Sequence, residues 1–163
     1  MSLNFLVTPC REPARLDLEF GLCDDQNSTK AYTKTDAPKS WIATVRNENK
    51  IPVVFTAIDK CIIHDHEYPG RGRCDGMLTF SDCIYFVELK DMRAAWLENA
   101  KEQLESTIIF FKDAHGFDNY RHKKAFACNR RHRHFLEINN EENLRFFRQH
   151  GFRLDVQSQI IVI

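Results

Sequence analysis

Two acids and a lysine in the middle of the chain are of the right types, at the right spacing, to hold a divalent cation. Residues 83–90 read Cys-Ile-Tyr-Phe-Val-Glu-Leu-Lys, an apolar run whose side chains alternate between two faces when extended. Ile84, Phe86, Glu88 and Lys90 share one face; Cys83, Tyr85, Val87 and Leu89 share the other. Both faces are apolar until Glu88, the pattern of a strand covered on two sides. Residues 73–80 read as the preceding strand, and Ser81-Asp82 as a tight hairpin turn between them. With that turn, directly opposed residues have numbers summing to about 163, which sets Asp75 across from Glu88.

Two carboxylates facing each other in a partly buried sheet repel unless something neutralises them. Lys90 offers one positive charge and a divalent cation two. Carboxylate oxygens with water and phosphate suit Mg2+ or Mn2+. Such an ion polarises a phosphate ester and acidifies bound water, and Lys90 could hold that water or steady charge developing on phosphorus. The plainer reading is a strand-end salt bridge among the same three side chains. A salt bridge, however, does not require a second acid directly opposite the first.

The elements that must position these residues are read from periodicity and breakers. Residues 1–35 are hard to assign, because Pro9 and Pro13 interrupt them and residues 26–29 are turn-like. Residues 36–47 are expected to be a helix, with Asp36 as its cap, Pro38 in its first turn, and Trp41, Ile42 and Val45 on one side. Residues 53–58 form a β-branched and aromatic run expected as a buried strand, with room to continue to Ile63. Trp96, Leu97, Ala100, Leu104, Thr107, Ile108 and Phe111 recur at helical spacing over 93–112. Residues 124–128 read as another buried strand. A further helix is expected from Asn140, with Leu144, Phe146 and Phe147 inward and Gly151 at its stop, and residues 152–163 as strand material. The expected product is an α/β fold: one mixed sheet flanked by helices in a single domain over residues 1–163, with its core at about 36–129.

Composition narrows the function. Lys plus Arg number 23 and Asp plus Glu 23, so formal charge is zero, which argues against coating nucleic acid by bulk charge. Charge is uneven, though: six Lys or Arg and three His fall between positions 121 and 134. Of these, Arg130, Arg131 and Arg133 are candidates to contact a nucleic-acid backbone, a solvated basic loop being the alternative. No apolar run approaches the ~20 residues a membrane span needs. The first residues lack the order of a secretory signal, so a cytoplasmic location is expected. Six cysteines are scattered without a close pair, and free thiols are expected rather than a disulfide framework or a zinc site. His64 and His66 with Asp65 and Glu67 could bind metal, but a solvated turn is the more common meaning of that spacing.

The residues also carry a resemblance. Cys74-Asp75-Gly76-Met77-Leu78 followed by Tyr85-Phe86-Val87-Glu88-Leu89-Lys90-Asp91 resembles the PD-(D/E)XK nuclease superfamily, the restriction-endonuclease-like enzymes. The resemblance implies an αβββαβ core with an appended helix and strand here. It implies Asp75 and Glu88 as metal ligands, the backbone oxygen of Leu89 as a further one, and Lys90 as the catalytic lysine. Gln103 falls where some members carry a helical glutamine. Three departures stand: Cys74 replaces the proline before the acid, Thr107 the tyrosine four residues after the glutamine, and Glu48 is the nearest candidate for an acid from the first helix. The implied activity is Mg2+- or Mn2+-dependent hydrolysis of DNA, ahead of RNA, by an endo- or exonuclease. A homodimer or a partner protein is a further expectation. The competing readings are a nuclease-fold binding or immunity module without turnover, and a basic segment docking an acidic partner protein.

Overall fold

The computed structural model describes residues 3–132 and 140–163. Along the chain run β1 (Glu19–Cys23), β2 (Tyr32–Lys34), β3 (Ala43–Arg46), β4 (Val54–Ala57), β5 (Gly76–Phe80), β6 (Cys83–Lys90), α1 (Leu97–Ala114), β7 (His122–Asn129), α2 (Asn140–His150), β8 (Arg153–Val156) and β9 (Gln159–Ile161). They form a mixed α/β structure with two sheets. Among the described residues no helix is long and apolar enough to cross a membrane.

The larger sheet has the order β4-β5-β6-β7-β8. Its first three strands are an antiparallel meander, whereas β7 and β8 continue parallel to β6. Strand β6 is central, and all its residues except Lys90 are buried. Ile84 and Phe86 lie in the core shared with α1 and α2, beside Leu104, Phe111, Phe146 and Phe152. Tyr85, Val87 and Leu89 lie in a second core with Phe20, Val45, Phe55, Phe126 and Ile160. The alternation expected for β6 therefore holds across its apolar residues.

What covers the second face differs from the sequence expectation. Both helices share one core, and the opposite face is covered by a second sheet, β2-β1-β3-β9. The helix expected over 36–47 is absent. In its place stand a single 3-10 turn, Pro38–Ser40, and strand β3. Ala43 and Val45 are buried while Thr44 and Arg46 are half-buried, the two-residue period of a strand. Ile42, Thr44 and Val45 are β-branched and better suited to extended backbone than to a helix. Strand β1 accommodates this arrangement at Gly21, where a Cβ would stand 2.1 Å from the Trp41 indole. The expected strand continuation to Ile63 is also replaced, by a turn in which Cys61 and Ile63 N–H both donate to Ile58 O.

The remaining elements follow the sequence more closely. Helix α1 starts at Leu97 rather than near 93 and closes with His115 N–H donating to Phe111 O and Gly116, at φ +70°, donating to Lys112 O. Gly116 is one place where a positive φ is required, and glycine meets it without a Cβ penalty. Helix α2 docks on α1 through Arg145–Glu105 (2.8 Å) and Lys101–Glu142 (3.2 Å). Of its three expected inward residues only Phe146 is buried; Leu144 and Phe147 are exposed. The helical stripe is thus only partly a core stripe.

One cysteine expectation is overturned. Cys10 and Cys61 are joined by a disulfide, while Cys23, Cys74, Cys83 and Cys128 are free and buried. The N-terminal segment runs antiparallel beside β4, with bridges Arg11–Thr56 and Arg15–Val53, and this brings Cys10 to the turn that carries Cys61. The two are 51 residues apart in sequence, so no local spacing announces the pair.

Candidate functional site

The hairpin register is the one the turn predicts. Phe80 pairs with Cys83 and Gly76 with Val87, so Asp75, one residue before β5, comes opposite Glu88. Asp75 N–H donates to Glu88 Oε1 at 3.1 Å, and Leu89 N–H donates to Asp75 Oδ2 at 2.7 Å. The next N–H on the other side, that of Ile58, donates to Asp75 O at 2.9 Å. Main-chain groups of the hairpin therefore hold both carboxylates. Gly76 is needed for the close approach: a Cβ there would lie 2.5 Å from the Phe55 ring and 2.9 Å from Thr56 O.

Lys90 Nζ lies 3.1 Å from Glu88 Oε2 and donates to Asn99 Oδ1 of α1 at 2.7 Å. Asp75 and Glu88 are 7% and 2% exposed, so two acids share a buried position with one nearby ammonium. Burial foremost, then the charges of Glu88 and Asp24, raises Asp75 well above the usual carboxylate range. Burial also raises Glu88, to about 7, against the opposing pull of Lys90. The pair therefore holds protons near neutrality when its own chain supplies the only counter-charge.

The acids open into a cleft of about 200 Å3 that Leu89, Lys90 and Gln103 also line. Gln103 Nε2 sits 3.4 Å from Arg73 O, while its Oε1 is buried without a hydrogen-bond partner. Thr107, the residue in the tyrosine position, has another task. Its hydroxyl accepts from Cys74 N–H at 2.7 Å and donates to Gln103 O at 2.8 Å, tying α1 to the start of the acid-bearing strand.

Six further polar residues line this cleft without any signal in the sequence: Asp24, Gln26, Ser28, Thr29, Asp59 and Lys60. Asp24 and Gln26 come from the β1–β2 connection of the second sheet, and Asp59 and Lys60 from the turn after β4. Gln26 Nε2 lies 3.5 Å from Leu89 O, over one of the expected metal-ligand positions. No local motif signals any of them, because two connections distant in sequence bring them together. Asp59 is already paired with Arg73 at 2.6 Å.

Other expected residues fall outside this cleft. Arg130 and Arg131 grip Asp91 at 2.6 and 2.9 Å, and Arg130 N–H donates to Lys90 O at 2.9 Å. They adjoin the site with part of their charge committed. Arg133 lies outside the described residues. Glu48 pairs with Arg46 at 2.8 Å. In the His64–Glu67 turn, Asp65 takes Lys60 at 2.8 Å and also pairs with Arg73. Among the described residues, no three His, Cys, Asp or Glu side chains are grouped to hold an ion.

The donor set still suits a hard divalent cation: two hard carboxylates, deeply buried, with the Lys90 ammonium at 3.1 Å from Glu88. Asp75, Glu88 and the Leu89 carbonyl would hold it, leaving its other positions to water and substrate oxygens. No protein-family model, curated protein or solved structure matches the chain.

Proposed function

We propose that the chain is a metal-dependent nuclease of the PD-(D/E)XK, restriction-endonuclease-like type, hydrolysing phosphodiester bonds of DNA. The observation that carries this reading is the pairing of Asp75 with Glu88 at a buried hairpin end, with Lys90 3.1 Å from Glu88. The antiparallel meander β4-β5-β6, followed by α1 and the parallel strand β7, supports it. That arrangement lacks the first helix the family resemblance implied.

A bound Mg2+ or Mn2+ would supply Lewis-acid polarisation of the phosphate and a more acidic water. The chain's residues do the rest. Asp75 and Glu88 present oxygens whose positions their backbone hydrogen bonds fix. Lys90, steadied by Asn99, is placed to orient the attacking water and to offset negative charge as the phosphorus becomes pentacovalent. Gln103 offers an unpartnered amide oxygen at the cleft. Arg130 and Arg131 lie where they could contact the flanking phosphates.

The test is incubation of purified protein with plasmid, linear and branched DNA in Mg2+ or Mn2+, beside Lys90→Ala. Cation-dependent cleavage that disappears in the variant is expected; cleavage that persists in it sinks the assignment. A second reading, a nuclease-like binding or accessory module without turnover, draws on the engagement of Lys90 by both Glu88 and Asn99. It predicts carboxylate-dependent Mn2+ binding by calorimetry with no cleavage of any DNA form.

A further inference from the structure

Helix α2 has an outward face that carries exposed apolar side chains among the described residues. Phe146 points into the core, and Arg145 and Glu142 turn toward α1. On the outer side Leu144 and Phe147 are 49% and 56% exposed. They stand beside shallow hollows of about 430 Å3, bounded by Glu141, Leu144 and Arg148 among others, and about 400 Å3, bounded by Asn143, Leu144, Phe147 and Arg153. Two large apolar side chains at helical spacing, flanked by charge, are what a helix presents to a partner.

The charges indicate which partner. Glu141 and Arg148 are both exposed and form no ion pair among the described residues. They lie about two turns apart on the side of the helix that carries Leu144, roughly 10 Å along its axis. We propose that this face is a self-association surface, on which α2 of one copy packs antiparallel against α2 of a second. A two-fold axis passing near Leu144 sets Glu141 of each copy against Arg148 of the other, twice over, because an isologous contact repeats every pair. The same axis places Leu144 and Phe147 of each copy against the hollows of the other, ridge into groove. This placement of one acid and one base about the axis makes the face complementary to itself, so a second copy satisfies both charges. The nuclease assignment is not needed for this proposal.

One face of an 11-residue helix buries less than the ~800 Å2 per partner of a standard stable interface, so a weak, concentration-dependent dimer is expected. Sedimentation equilibrium over about 1 to 500 µM, where Kd values near a micromolar and weaker are resolved, tests it. Reversing either charge, Glu141→Arg or Arg148→Glu, creates two repulsions in place of two attractions. Each is expected to weaken association about tenfold, and the double variant to restore it. Phe147→Asp should leave the protein monomeric. Circular dichroism and urea unfolding on every variant establish that the fold is intact. A wild-type protein that stays monomeric throughout overturns the proposal, whatever other protein it captures. So does a dimer indifferent to the single reversals, or a folded double variant that fails to recover.

Discussion

Replacing both buried acids by their amides, Asp75→Asn with Glu88→Gln, should flatten a pH dependence that the wild-type protein carries in its folding stability. Each amide retains an oxygen that can accept the backbone N–H its carboxylate accepts now, so the hairpin keeps its register. What disappears is the ionisable charge. Glu88 rises from 4.5 to about 7 on folding, chiefly through burial, and Asp75 rises well above its ordinary 3.8. An acid whose folded pKa exceeds its unfolded one binds more protons in the native state between the two values. Stability is therefore highest below the unfolded pKa and is lost as pH climbs toward the folded one. At about 1.4 kcal/mol per pH unit, Glu88 alone removes about 3 kcal/mol between pH 4.5 and 7, and Asp75 steepens the same fall. Urea unfolding with EDTA across that range measures it. The double variant should gain about 3 kcal/mol or more on the wild type over the interval, or about 6–12 °C in melting temperature. Adding Mn2+ at pH 7 should stabilise the wild type and leave the variant unchanged. A difference between the two proteins that stays constant with pH would refute this account of the buried pair.

Gly76→Ala should lower stability by about 2 kcal/mol, about 4–8 °C in a thermal melt, because the new Cβ meets the Phe55 ring and a backbone oxygen at under 3 Å. Reducing the Cys10–Cys61 disulfide, which closes a separation of 51 residues, should cost about 2–4 kcal/mol in urea unfolding. No such loss should follow in a Cys10→Ser/Cys61→Ser protein treated with the same reductant. Arg131→Ala should weaken DNA binding measured with Ca2+ in place of Mg2+ and reduce the dependence of log affinity on log salt by about one phosphate contact. An unchanged slope would mean that Asp91 consumes its charge.

The part of the site nearest in sequence was the part that could be read. Asp75 and Glu88 are 13 residues apart, and a two-residue turn between alternating strands fixes their relation by arithmetic. The opposing wall of the cleft could not be read that way. Asp24 and Gln26 reach it from a sheet whose strands are three to five residues long, too short for a periodic signal. The misread segment 36–47 has the same cause. Trp41, Ile42 and Val45 fit a helical stripe as well as a strand edge, and β-branching at Ile42, Thr44 and Val45 was the competing cue. Leu144 and Phe147 belong to an apolar stripe yet are exposed, since a stripe reports which residues are apolar, not which surface meets them.

The way the hairpin clasps its two acids also bears on how the cleft would treat a guest. Freezing a free, long side chain when a ligand arrives ordinarily costs about 0.5–1.5 kcal/mol. Here Glu88 and Asp75 have surrendered that freedom during folding, since the amides of Asp75 and Leu89 already fasten one oxygen of each. An incoming ion would find a rigid seat with little left to organise. Such a seat rewards ions of matching radius and tolerates mismatched ones poorly.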